Sequence, residues 1–316
     1  MLYRVQNYML QLNAKHLLFG TRTRTMVFFG AFAAAFCVVL WLFWPEISLF
    51  LWGFDEAEVF WKNNPRRSHI IVSLTTLPHR INALDVVLKS ILLQSVAVKE
   101  IRLNLPLYSQ RDQTEYDIPA FIRFSEAVSI VRTERDWGPA TKFIPTLLSS
   151  LEDQPVVFID DDVIYPRHFI ESYLYYSERL PDAALATRGW DVPRSLKWAD
   201  SGTLFGMQLT SPQSVDVVTG CGSVLVKPRF FDKQKLTDYE TAPKAAFFVD
   251  DIWVSGQLAL NKVERYVIPV RDRQKPQLTR LSINKGLINN ENKGGLNNDV
   301  MLNWFKDVWH YEPAKR

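Results

Sequence analysis

The sequence predicts an α/β fold: a mostly parallel sheet flanked by helices, preceded by one transmembrane helix. Three observations carry this reading. From His69 onward, β-branched strand segments alternate with amphipathic helical ones. One buried strand runs directly into three consecutive aspartates, and a long uncharged run lies near the N-terminus. Alternation of strand and helix is the signature of a parallel sheet covered on both faces.

The elements follow in order. "HIIVSLTT" (69–76) reads as a strand by its β-branched content, and "INALDVVLKSILLQ" (81–94) places Leu84, Val87, Leu88, Ile91 and Leu92 on one helical face. "KEIRLNLP" (99–106) and "AVSIVR" (127–132) are the next strands, and "ATKFIPTLLSSL" (140–151) is a helix with Pro145 as its point of bending. "PVVFID" (155–160) is the fourth strand, and "PRHFIESYLYYSERL" (166–180) opens with proline at a suitable first helical position. "AALAT" (183–187) is a fifth strand. Beyond Arg188 the alternation weakens: 215–226 holds one or two strands interrupted by Gly220 and Gly222, 244–260 is a helix, and 265–270 is a final strand. The Asn- and Gly-rich segment 284–299 reads as a mobile loop.

Residues 26–44, "MVFFGAFAAAFCVVLWLFW", carry no charge and are about long enough to cross a bilayer as a helix. Trp41, Trp44 and Trp52 suit an interfacial aromatic belt. Arg4, Lys15, Arg22 and Arg24 precede the run with no acid, and Glu46, Asp55, Glu56 and Glu58 follow it. The positive-inside rule then makes residues 1–25 a cytoplasmic segment, 26–44 a single type II span in contact with the lipid bilayer, 45–68 a stem and 69–316 the globular domain. A cleaved signal peptide and a buried soluble helix are the rival readings. The rest of the composition is that of a globular chain: 316 residues, 47% apolar and 22% charged. A net charge of +3 gives no argument for nucleic acid, and two cysteines supply neither a disulfide framework nor a zinc site.

The chemistry concentrates in "FIDDD". Three adjacent carboxylates repel one another unless a cation offsets them. In an open parallel sheet ligands bind beyond the carboxyl ends of the strands, where Asp160, Asp161 and Asp162 fall. Mg²⁺ or Mn²⁺ would satisfy the carboxylates and leave positions for phosphate oxygens. The rival reading makes the acids caps of the helix near Pro166, but one cap accounts for one acid only. A second pair, Asp250 and Asp251, stands at the start of the 244–260 helix and is open to the same capping alternative. Gly220 and Gly222 around Cys221 fit either a tight backbone beside a substrate or a strand bulge. Trp190 and Asp191 are open to an acceptor-lining role.

These pieces resemble, in order, those of GT-A-fold glycosyltransferases of the family-2-like type, which use nucleotide-diphosphate sugars. "FIDDD" is similar to their DxD motif, "IIVSLTTLPHRI" to the first strand and loop, and "LKSILLQSVAVKEIRL" to the helix before the second strand. "DWGPATKF" stands near the place of the family's Asn-x-Gly element, with Asp136-Trp137-Gly138 in its stead, and "FFVDDIWVSGQLAL" looks like the acidic helix start that supplies the base in inverting members. The resemblance implies that Asp160 contacts the nucleotide, Asp162 binds the metal and Asp161 offers a second contact. It places Thr75 and Arg80 against nucleotide, Asp136 at the base and Lys142 against base or phosphate. Asp251, before Asp250, would be the catalytic base, and His310 a late metal ligand. It leans toward inversion and implies a glycan, glycoprotein or lipid-linked acceptor, while departures from the processive synthases favour transfer of one sugar. With the globular domain across the membrane, donor supply points to the Golgi lumen; a bacterial membrane would require the opposite orientation or a cytoplasmic domain. No Gln-x-x-Arg-Trp element of the processive synthases is present. Two other classes stay open: an aspartate-nucleophile phosphatase of the HAD type using Asp160 and Asp162, and a membrane-tethered carbohydrate-binding domain without activity.

Overall fold

The computed structural model describes residues 51–271, 275–276 and 293–310, together with positions 32, 37, 38 and 49. The chain divides into two compact units, Met1–Leu51 and Trp52–Arg316. Among the described residues no helix is long and apolar enough to cross a membrane. The span expected at 26–44 falls outside the described residues, apart from Phe32, Cys37 and Val38.

The second unit is α/β. In chain order it runs α1 (Phe54–Asn63), β1 (Ile71–Leu74), α2 (Leu84–Leu92), β2 (Glu100–Pro106), α3 (Ala120–Arg123), β3 (Val128–Thr133), α4 (Ile144–Ser149), β4 (Val156–Phe158) and β5 (Val163–Ile164). Next come α5 (Phe169–Ser177), β6 (Ala184–Ala186), β7 (Arg188–Trp190), β8 (Leu204–Phe205), β9 (Gln213–Ser214), β10 (Val217–Val218) and β11 (Val224–Val226). The described elements end with α6 (Lys233–Thr237), α7 (Asp250–Leu260), β12 (Arg265–Val267), β13 (Lys275–Pro276) and α8 (Leu296–Trp304).

Eight strands form one sheet in the order β3-β2-β1-β4-β11-β6-β12-β9. The pairs β3–β2, β2–β1, β1–β4 and β6–β12 are parallel, whereas β11 runs antiparallel to both β4 and β6. Each strand alternates between two apolar layers, because successive side chains point to opposite faces. Val157 and Leu225 enter one layer with Leu88, Ile91 and Tyr173; Val156, Phe158, Val224 and Val226 enter the other with Leu147, Trp253 and Leu302. Helices α2 and α5 therefore cover one face, and α4, α7 and α8 the other. Burial on both faces is why these strands read as short continuous apolar runs.

The order reverses between β1 and β4. From β1 the chain moves outward to β2 and β3, then returns to place β4 on the far side of β1. With β1 and β4 parallel, the segments leaving their carboxyl ends diverge and open a crevice there. Thr75 and Thr76 leave β1 at that edge, and Asp160 to Asp162 leave β4.

Three expectations need correction. The helix expected over 140–151 is a 3-10 turn, Gly138–Lys142, followed by α4, with Pro145 in the first turn rather than at a bend. Residues 54–63, assigned to the stem, form α1: Phe54, Ala57 and Trp61 are buried in the core, and Trp61 Nε1 donates to Val98 O at 2.9 Å. The end of the segment read as a mobile loop starts α8, whose Met301 and Leu302 are fully buried. In both helices tertiary burial outweighs a polar local composition.

Because Trp61 is 8% exposed and Val59 is 56% exposed on the same helix, Trp61→Ala should cost about 3–5 kcal/mol. Val59→Ala should change stability by less than about 0.5 kcal/mol. Chemical denaturation of the full chain measures both; equal effects would remove α1 from the folded core.

Candidate active site

A cleft of about 1390 Å³ opens at the crevice edge of the sheet. Its lining includes Thr75, Arg80, Asp136, Lys142, Asp160, Asp161, Asp162, Asp250 and Asp251. These residues come from loops after β1, β3 and β4, from the 3-10 turn before α4 and from the first turn of α7.

Lys142 sits at the centre. Its side chain is 6% exposed, and its Nζ lies 2.7 Å from Asp160 Oδ1 and 2.7 Å from Asp250 Oδ2. The first contact is a hydrogen bond; Asp250 Oδ2 is buried and makes an ion pair without a directed hydrogen bond. Burial opposes the charge on Lys142, but Asp160, Asp250 and Asp251 override it and hold the ammonium well above its usual pKa. The backbone beneath is fixed from the sheet. Ser73 Oγ donates to Lys142 O at 2.6 Å and Asn104 Nδ2 at 3.2 Å, with Thr146 in the same fully buried polar group. A side chain at Gly220 would place its Cβ 2.4 Å from Lys142 Nζ, so the ammonium would have to shift to admit one.

The rest of the triplet faces Arg80 and Thr76. Asp161 Oδ2 accepts from Thr76 Oγ1 at 2.6 Å and Asp161 Oδ1 from Arg80 Nη1 at 3.2 Å; Asp162 Oδ2 lies 3.7 Å from the same Nη1. Two protein cations, Lys142 and Arg80, thus offset the repulsion that the sequence assigns to a metal. The capping alternative is not what the triplet does, since α5 starts at Phe169 with His168 at its N-cap. Asp250 and Asp251 do lie in the first turn of α7, where the helix dipole favours them, but no side chain caps that helix.

Asp251 Oδ1 accepts from Gly220 N at 2.6 Å. Burial first, then the Asp250 carboxylate, push its pKa up to about 7 against the pull of Lys142. A carboxyl that titrates there can take a proton at neutral pH, as a general base must.

Other predicted residues have mainly structural partners. Thr75 Oγ1 donates to Asn104 O at 2.7 Å. Asp136 accepts from Gly138 N at 2.7 Å and Gln110 N at 2.9 Å, tying two cleft loops together. Gly138 has φ +60°, and a Cβ there would fall 2.5 Å from Phe247 O, which explains glycine in this position. His310 is not brought to the acids: its N–H donates to Asp216 Oδ1 at 3.0 Å, its ring is largely exposed, and it does not line the cleft. Trp190 lines the cleft, whereas Asp191 is exposed outside it.

A divalent cation would be held by Asp162 and Asp160. Carboxylate oxygens at an open edge suit Mg²⁺ or Mn²⁺ that takes one or two carboxylates and completes its shell with water and phosphate oxygens. Among the described residues, no group of three or more His, Cys, Asp or Glu side chains is arranged to hold an ion without such help.

Sequence reasoning did not find the far wall. Arg188, Trp198, Phe205 and Phe247 line it, drawn from β7, β8 and 3-10 turns with no periodic signal. The Gly220-Cys221-Gly222 spacing and Trp190 marked that side beforehand. No protein-family model matches the chain, and a search of curated proteins finds no match either.

Lys142→Met leaves Asp160, Asp250 and Asp251 without their shared cation and should cost about 3–5 kcal/mol at neutral pH. The sign of its pH dependence follows from the raised pKa of Asp251. The ammonium pulls the Asp251 carboxyl down to its value of about 7, so without it that carboxyl titrates higher still; the penalty of the variant relative to the wild type is smaller in acid and grows as pH rises past about 7. Melting curves from acid to alkaline pH check this; a penalty independent of pH would contradict it.

Proposed function

We propose that the chain is a metal-dependent glycosyltransferase that moves a single sugar from a nucleotide-diphosphate donor to a hydroxyl acceptor with inversion. One observation carries the proposal: Lys142 joins the acid triplet after β4 to the acid pair of α7 across a single large cleft at the crevice edge. The resemblance of "FIDDD" and "FFVDDIW" to the GT-A motifs supports the same assignment of parts.

In this reading the nucleotide lies at the β1/β4 edge, against Thr75, Thr76 and Arg80. Asp162 and Asp160 would hold Mn²⁺ or Mg²⁺, which when bound would supply Lewis-acid stabilisation to the departing diphosphate. Lys142 is a positioning residue: its ammonium is spent on Asp160 and Asp250 and fixes their orientation. Asp251 takes the proton from the acceptor hydroxyl as that oxygen attacks the anomeric carbon, and the bond to the diphosphate breaks on the opposite face. Inversion follows from one displacement.

The phosphatase reading needs an Asp160 oxygen to attack phosphorus; Lys142 holds Oδ1 at 2.7 Å, which leaves that role to Oδ2. An aspartyl-phosphate formed from a phosphomonoester would establish it in place of sugar transfer. The carboxyl of Asp251, held near pKa 7 within the cleft, favours catalysis over binding alone.

Incubation of the purified full chain with Mn²⁺ and a panel of UDP- and GDP-sugars should release nucleotide diphosphate from at least one donor. Asp162→Asn should abolish release. Asp251→Asn should lower transfer by about 10²–10⁴-fold and remove the rise in rate as pH increases through about 7 that the wild type shows. No turnover across the panel, or an unchanged profile in Asp251→Asn, would sink the assignment.

The membrane part of the proposal rests on the sequence. The uncharged run 26–44 with its flanking charges anchors a type II protein, and a Golgi lumen would supply the donor to residues 69–316. Sealed vesicles should protect those residues from added protease; digestion in intact vesicles would place them on the other side.

A further inference from the structure

The cleft holds a cation that the reading above does not use. Arg188 opens β7 and lines the same cleft as Arg80. Lys142 and Arg80 each face two carboxylates, at 2.7 to 3.7 Å. Arg188 faces none among the described residues. The hydrogen bond it makes runs from Nη1 to Cys221 Sγ at 2.8 Å, its carbon Cζ lies 5.2 Å from the Phe205 ring centroid, and its Nε is buried with no partner. A thiol is a weak acceptor. Burial and the nearby Asp251 carboxylate push the Cys221 pKa up to about 11, so it stays neutral and does not balance the guanidinium.

A guanidinium partly withdrawn from water and left without an anion is costly, and its planar fork matches a carboxylate or phosphate bidentately. Its surroundings fix which substrate would bring that anion. Cys221 feels both Arg188 and Asp251, and Gly220 beside it donates to Asp251 Oδ1 at 2.6 Å, so Arg188 stands on the side of the general-base candidate. The cleft also offers faces that suit the apolar side of a sugar ring. Phe205, beside Arg188, is 38% exposed, and Trp198, which lines the same cleft, is held in place by its backbone N–H donating to Asp299 Oδ1 at 2.7 Å and by Gly295 packed on its ring. Gly222 permits the approach, since a Cβ there would lie 2.7 Å from Arg188 Cβ.

We propose that Arg188 is a specificity residue for an acidic acceptor: the hydroxyl-bearing sugar presented to Asp251 carries an oxyanion, carboxylate or phosphate ester, that pairs with the Arg188 guanidinium over the Phe205–Trp198 wall. The inference rests on the glycosyltransferase reading of the cleft. It goes beyond it by naming the chemical class of the acceptor.

Binding to the purified full chain tests it with matched sugars: methyl glucoside, methyl glucuronide and glucose 6-phosphate, titrated in the presence of UDP and Mn²⁺. At least one acidic sugar should bind ten-fold or more tightly than methyl glucoside, and which of the two leads separates carboxylate from phosphate. Arg188→Gln should abolish that preference, and Arg188→Lys should restore part of it. Equal binding of acidic and neutral sugars, no binding of any of them, or a preference that survives in Arg188→Gln would overturn the inference. So would a loss of UDP affinity in Arg188→Gln as large as the loss for the acidic sugar, which would assign the residue to the donor diphosphate. Should Arg188→Gln not fold, the wild-type preference and its weakening by salt decide the matter alone. A titration of UDP by itself keeps the two readings apart. UDP binding without acidic preference defeats only the acceptor inference, whereas acidic preference without binding of any nucleotide defeats only the donor site.

Discussion

The ammonium of Lys142 is the contact on which the site depends. Two acid clusters that are distant in the chain meet only because a buried cation stands between them, 2.7 Å from a carboxylate of each. Removing water from an amine of this kind normally drives it neutral. Here the surrounding carboxylates more than offset that, and the result is a fixed charge, not a titrating one. The fixed charge has a partner effect: Asp251, which accepts from Gly220 N and is buried beside Asp250, keeps a carboxyl able to change its protonation near neutrality. One buried contact thus divides the acids into those that hold position and one that can move a proton.

The fold serves this contact by pinning its backbone. Ser73 on β1 and Asn104 on β2 donate to the carbonyl of Lys142, and Thr146 on α4 bonds to both of them; all three are fully buried. They are polar residues inside strands and a helix that otherwise present apolar side chains. Their hydrogen bonds to one another and to that carbonyl satisfy them there. The reversal of strand order between β1 and β4 then supplies the space above, and the small sheet of β10, β7 and β8 supplies the opposite wall.

Much of this was legible in the sequence because of how buried strands are written. "HIIVSLTT", "KEIRLNLP" and "PVVFID" are short apolar runs bounded by polar residues, and each contains a strand of the parallel core. The residues expected around the ligand, from Thr75 to Asp251, line one cleft, with His310 left out. What could not be read is pairwise. Nothing local tells that Lys142 binds Asp160 and Asp250, or that Arg80 answers the rest of the triplet, so the repulsion within "DDD" pointed toward a metal alone. The two-residue strands β8, β9 and β10 are too short to carry a period, which hid the wall holding Phe205 and Arg188. The helix of Phe54, Ala57 and Trp61 was obscured by the polar "WKNNPRRS" that overlaps its end, and α8 by the asparagines and glycines before it.

The closeness of Gly220 to Lys142 has a consequence for how this site can change over generations. A Cβ at position 220 would stand 2.4 Å from the ammonium at position 142, so a change at either position bears on the other. A side chain arriving at 220 pushes on the cation that neutralises Asp160 and Asp250, and a shorter residue arriving at 142 leaves those acids repelling each other but opens room at 220. The two positions are coupled in the sense that a double-mutant cycle measures, although they lie far apart in the chain.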